Sequence, residues 1–189
     1  MKRLPALRTD AELVAFYEAI WHARQLTHGV MLKLLLLTGI RNADLVHLRL
    51  TDAALQTCQI RMTQGKGPKD RAVLLPTRCR GEGAPSLAHH QQHGSPYLFE
   101  ANRSRPYATR RLRQIVKQYA RAAGITKRVY PHLFRHQLLT YLTKHGLISP
   151  KLQLLSGHTA EQSLAVYRAL ALSDVSDEYE AAMRHFPVR

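Results

Sequence analysis

Two histidines and an arginine fall within the five positions His132–His136 of the segment HLFRHQ. Pro131 suits the first turn of a helix, where a missing N–H costs nothing, so His132 and Arg135 would project from one face near that helix's start. Free backbone N–H groups and the helix dipole favour an anion there, and side chains and helix end together could address one phosphate. The same spacing also fits a basic helix face standing in water. A zinc site fits less well: no carboxylate or cysteine lies nearby, and Arg135 would repel the cation. In TGIRNADL, Arg41 follows a glycine turn and Asp44 comes three residues later. That carboxylate could orient the guanidinium fork for bidentate contact with phosphate oxygens, or simply pair with it at a helix start. Lys66 stands between two glycines in QGKGPKDR. Such a turn tip can approach another backbone closely and deliver a proton, or it can remain solvated; it does not fit the nucleotide-binding GxxxxGK[ST] pattern. In LLSGHTAEQSLAVYRAL, Gly157 ends one helix and Thr159 with Gln162 makes a capping box for the next. His158 then occupies the corner between them, with Tyr167 about two turns into the second. A tyrosine hydroxyl, with a free pKa of about 10, is a weak nucleophile that needs a base or cationic neighbours.

These side chains need a frame. Residues 10–22 read as an amphipathic helix with Leu13, Phe16, Tyr17 and Ile20 on one face and Asp10 as its cap. A more apolar helix follows over 27–38 with Gly39 as its stop, then a short helix over 42–49. From Gln56 to Pro76 the period changes to two, with Cys58, Ile60 and Met62 before GKGPKD and Val73 and Leu75 after it: a hairpin. Residues 77–98 form a loose loop around one short helix. A helix over 106–123 carries Leu112, Ile115, Val116 and Tyr119 on one face and Arg110, Arg113, Lys117 and Arg121 on another. Helices over 131–145, 150–155, 160–171 and 173–185 complete the chain. The expected fold class is mainly α with a small antiparallel β-sheet, an α+β domain. The last helix puts Val175, Tyr179, Met183 and Phe186 on one stripe, which either packs on its own core or is exchanged between protomers.

The chain has 189 residues, enough for one well-cored domain, and carries 28 Lys and Arg against 13 Asp and Glu. Between Glu100 and Glu161 there are twelve Lys or Arg and no acidic residue. So one-sided a block in helical segments points to a polyanion, and double-stranded DNA is the expected partner. Cys58 and Cys79 suit neither a disulfide framework nor a four-ligand zinc site, which favours a reduced, cytoplasmic setting. The start lacks a signal-peptide core, and GVMLKLLLLTGI is too short for a bilayer span and broken by Lys33. His89, His90 and His93 in a polar loop read as surface rather than metal ligands.

Taken in order, Arg41, Lys66, His132-x-x-Arg135, Gly157-His158 and Tyr167 resemble the signature of the tyrosine recombinase (phage integrase) family, over nearly the whole chain. The resemblance implies that family's catalytic-domain fold and a phosphoryl transfer that uses neither metal nor other cofactor. Tyr167 would attack a DNA phosphodiester, Arg41 and Arg135 would neutralise its non-bridging oxygens, and His158 would donate to one of them. Lys66 would protonate the leaving 5′-oxygen, His132 would assist proton transfer at the tyrosine, and Asp44 would orient Arg41. Arg110, Arg113, Lys117 and Arg121 are expected to track DNA phosphates, with several copies of the chain assembling on the site. A topoisomerase of type IB, sharing the chemistry, and a DNA-binding protein that has lost it are the alternatives. Gln137, Ser156 and Ala165 depart from residues frequent in the family without removing a catalytic group. Members usually carry an N-terminal helical clamp domain, whereas only residues 1–9 precede the first helix here. The expectation is one catalytic domain over 1–189, either a short single-domain member or a fragment.

Overall fold

The computed structural model describes residues 9–62, 71–79, 96–102, 105–156 and 173–188. The first helix, α1 (Asp10–His22), buries Leu13, Phe16 and Ile20. Its cap is Thr9 rather than Asp10: the Thr9 Oγ1 accepts the Glu12 N–H at 3.2 Å, and Asp10 is already inside the first turn. Helix α2 (Leu26–Thr38) buries Met31, Leu32, Leu35, Leu36, Leu37 and Thr38. A helix apolar on so many sides has to be central, and it packs against α1, α3 (Asn42–Val46) and α5 (Pro131–Lys144). Gly39 ends α2 in the left-handed region, at φ +60°, with its N–H on the Leu35 carbonyl.

Helix α3 stops at Val46, not at residue 49, because its continuation is captured by a distant segment. The Leu98 N–H bonds the Leu48 carbonyl at 2.7 Å and Arg49 pairs with Tyr97 in an isolated bridge. Tertiary hydrogen bonds thus outweigh a local tendency to go on coiling. The expected hairpin is present as β2 (Gln59–Met62) and β3 (Arg71–Leu74), antiparallel with Ile60 opposite Val73. A third strand, β1 (Ala53–Ala54), adds to β2. Cys58 is buried but stands just outside the strand at φ +52°, and its carbonyl accepts the Leu75 N–H. A second two-stranded sheet pairs β4 (Glu100–Asn102) with β5 (Arg105–Pro106). Pro106 therefore belongs to a strand, and the basic helix α4 begins only at Thr109, running to Ala122.

Helix α4 buries Leu112, Ile115, Val116, Tyr119 and Ala120 and leaves its arginines outside. It packs on α1, α3 and α5, and the Tyr119 hydroxyl lies 3.0 Å from His28 Nδ1 of α2. Among the described residues, two further helices follow α5, namely α6 (Ser149–Ser156) and α7 (Ser173–Met183). In α7 and the residues after it, Val175, Tyr179, Met183, Phe186 and Val188 are buried on this chain's own core. Arg78 fastens the end of that segment, donating to the Met183 and Val188 carbonyls at 2.5 and 2.9 Å. Residues 80–95, with His89, His90 and His93, and the helix expected over 160–171 lie outside the described residues.

Candidate active site

Two turns of chain, one ending α2 and one starting α5, position the described part of the site. Thr38 is buried; its hydroxyl donates to the Leu34 carbonyl at 2.7 Å and accepts the Ile40 N–H at 3.2 Å. That local bonding, with the left-handed Gly39, reverses the chain so that Arg41 emerges in extended conformation (φ −67°, ψ 146°) at the start of α3. Asp44 stands on the first turn of α3, three residues on. Across from this turn, Pro131 opens α5 and Arg135 lies one turn in.

Arg135 is only 3 % exposed. Its Nη1 donates to the Gly39 carbonyl at 2.7 Å, so one arm of the guanidinium is locked and the plane of the fork is set. Burial, and then the charge of Arg41, push the Arg135 pKa down to about 10. The group is still a cation at neutral pH, but both influences disfavour its charge. An anion between the two arginines would reverse that penalty, which is the electrostatic form of a phosphate site. His132 lies one turn back on the same helix. Its side chain is exposed, but desolvation by its neighbours, then the charges of His136 and Arg135, lower its pKa from the usual value of 6.5, so its ring is neutral at neutral pH and can accept or pass on a proton. The His136 ring stands edge-on to it at 4.3 Å between centroids.

The structure thus brings Arg41, His132 and Arg135 to one corner of the molecule. Lys66, His158 and Tyr167 lie outside the described residues. Arg110, Arg113, Lys117 and Arg121 are all exposed on α4, opposite its buried face. Sequence reasoning missed the Gly39 carbonyl as the anchor of Arg135 and the Thr38 hydroxyl that shapes the turn. The one signal for that turn in the sequence was a threonine, Thr38, directly before the helix-ending Gly39. Two buried acceptors beside the arginines in sequence, Asn42 Oδ1 and Gln137 Oε1, have no hydrogen-bond partner among the described residues. Among those residues no three His, Cys, Asp or Glu gather as metal ligands, and no helix is long and apolar enough to cross a membrane.

A model of the phage integrase family matches residues 9–173. The chain belongs to the phage integrase family. This integrase-family chain is 31 % identical over 183 residues to tyrosine recombinase XerD of Yersinia pestis, a match covering 90 % of the chain and 59 % of the relative. It is 27 % identical to tyrosine recombinase XerA of Pyrococcus furiosus, covering 96 % of the chain and 63 % of the relative. The chain therefore spans about three fifths of the length of these curated relatives. Among solved structures, that of XerA recombinase superposes with a TM-score of 0.76 at 26 % identity, covering 96 % of this chain and 66 % of that one. A XerH site-specific recombinase bound to its difH substrate before cleavage shares the fold, at a TM-score of 0.72 and 21 % identity over 91 % of this chain and 52 % of that one. The integrase fold here is accordingly that of the tyrosine recombinase catalytic domain, mostly helical with small antiparallel sheets.

Proposed function

We propose that this chain is the catalytic domain of a tyrosine-type site-specific DNA recombinase, acting on cytoplasmic double-stranded DNA as an assembly of several copies. The observation that carries the reading is Arg135, buried, held by the Gly39 carbonyl and sensing the charge of Arg41. A preorganised pair of planar cations suits the charge that develops on the equatorial oxygens of a phosphoryl group in transfer. Tyr167 attacks the scissile phosphorus while the bond to the 5′-oxygen breaks, giving a 3′-phosphotyrosyl link and a free 5′-hydroxyl. Arg41 and Arg135 hold the non-bridging oxygens, with His158 donating to one. Lys66 gives its proton to the leaving oxygen. His132, neutral at working pH, takes part in moving the tyrosine proton, and Asp44 orients Arg41. The covalent link conserves the phosphoester, so a second 5′-hydroxyl can reverse the step without an energy source. The exposed Arg110, Arg113, Lys117 and Arg121 of α4 supply phosphate contacts, in keeping with relatives whose solved structures hold DNA.

The test uses a duplex selected from a randomised pool by its binding to the chain and nicked at successive positions along one strand. A covalent protein–DNA adduct that disappears in Tyr167→Phe is expected. Tight binding to the selected duplex with no adduct at any nick position would leave a DNA-binding protein without turnover and sink the proposal. Recombinant junctions on a plasmid bearing two such sites, rather than loss of supercoils alone, separate a recombinase from a topoisomerase.

A further inference from the structure

The C-terminal end of α2 is tied down by side chains from several elements. A helix leaves its last carbonyls without partners inside the helix, and here the Leu37 carbonyl accepts the Tyr179 hydroxyl of α7 at 2.7 Å. The same hydroxyl lies 3.2 Å from the Leu74 carbonyl of β3. A phenol has one proton, so the shorter contact holds the bond and the longer one a weaker share of it. Burial above all, then Cys79 and Glu180, push ionisation of Tyr179 well above the usual tyrosine range, and the hydroxyl remains a donor. Two residues after Leu37, the Gly39 carbonyl holds Arg135; four residues after it comes Arg41. Thr38, Gly39, Arg135, Leu138 and Tyr179 line one void of about 10 Å³. That is at most room for one water, so a shift of this end of α2 passes directly to Arg135.

We propose that Tyr179 is a positioning residue, whose hydroxyl pins the end of α2 to α7 and β3 and thereby aligns Arg41 and Arg135 on the phosphate. The proposal rests on the function given above. Other bonds of α7 reach different elements. Glu180 accepts the Thr77 N–H and hydroxyl at 3.0 and 2.6 Å, and the Tyr141 hydroxyl of α5 donates to the Ala182 carbonyl at 3.0 Å. Those bonds dock α7, whereas Tyr179 extends the docking to the segment from which both arginines are held. Tyr141→Phe is therefore the matched control, since it deletes one hydroxyl bond to α7 and leaves the end of α2 untouched.

The experiment measures single-turnover adduct formation and binding affinity on the same nicked duplex, with circular dichroism to establish folding. Tyr179→Phe should slow adduct formation by about 10- to 100-fold, the scale of a sub-ångström to ångström misplacement, at unchanged DNA affinity. Tyr141→Phe should stay within about threefold of wild type. A Tyr179→Phe rate equal to wild type overturns the proposal. Equal slowing in Tyr141→Phe overturns it too, because general docking of α7 would then account for the effect. Should Tyr179→Phe not fold, Thr38→Val loosens the same end of α2 without touching α7. It should slow adduct formation at unchanged affinity, with Thr38→Ser restoring the rate, and a wild-type rate in Thr38→Val overturns the proposal. Failure of wild type itself to form adduct would instead sink the functional reading on which this one stands.

Discussion

Gly39→Ala tests the corner that joins α2 to Arg135. Gly39 has φ +60°, where an L side chain costs about 1–2 kcal/mol. A Cβ built there lies 3.3 Å from Leu138 Cδ2, 3.5 Å from Arg135 Cγ and 3.6 Å from Arg135 Cα. The first contact is too tight, so α5 or the Leu138 side chain must yield by a few tenths of an ångström. For a chain of this size, about 1 kcal/mol lowers Tm by roughly 2–4 °C, so strain alone predicts a fall of about 2–8 °C. The crowding falls on Leu138, one turn along α5 from Arg135, whose own atoms stay in ordinary van der Waals contact. Where α5 yields, Arg135 moves with it, and a shift approaching 1 Å at a catalytic group costs about 100-fold in rate. Adduct formation should therefore fall by about 10- to 100-fold while DNA affinity is retained. Gly39→Asn separates the two effects, because asparagine tolerates the left-handed region yet brings the same Cβ. It should recover much of the Tm and little of the rate. An alanine variant with wild-type Tm and wild-type adduct formation would refute the account of this corner.

Three further outcomes follow from other parts of the molecule. Arg135→Lys keeps a charge but loses both the bond to Gly39 and the planar fork; adduct formation should drop by about 100-fold or more, and a loss confined to DNA affinity would contradict this. Burial, then Arg111, lower the pKa of His28 from 6.5, so below that value the unfolded chain takes up a proton there before the folded chain does. Stability from His28 is thus present above pH 6.5 and lost as pH falls towards the folded pKa; His28→Gln should flatten the acid decline in Tm, and an unchanged decline would count against it. Arg113→Gln should weaken binding evenly across DNA sequences and reduce the salt slope by about one; an effect confined to one base position would reassign the residue to base reading.

Much of the local structure was legible in the residues themselves. The bounds of α1 and α2, the helix stop at Gly39 and the hairpin were read from periodicity, and so were the two faces of α4. The helical features depend on interactions within a few positions of the chain, and the hairpin on strands paired no further apart in the chain than Gln59 is from Leu74. Misreadings arose where distant segments intervened. The 42–49 helix is cut short by pairing with Tyr97 and Leu98, and Pro106 is drawn into a strand by Glu100–Asn102. Thr9 displaced Asp10 as the cap by a single position, a local competition between two good capping residues.

The sequence by itself determined the order of the chemical groups, the family and the basic character of α4, because residue identity and spacing carry those directly. Tertiary structure alone decided that Arg135 is buried, that its fork is oriented by the Gly39 carbonyl, and that Arg41 is close enough to lower its pKa. It also decided that Tyr179, on a stripe that reads only as apolar packing, spends its hydroxyl on the carbonyl of Leu37, 142 residues earlier. Burial and hydrogen bonding between such distant positions depend on how helices pack, and no local pattern encodes which carbonyl a side chain will meet.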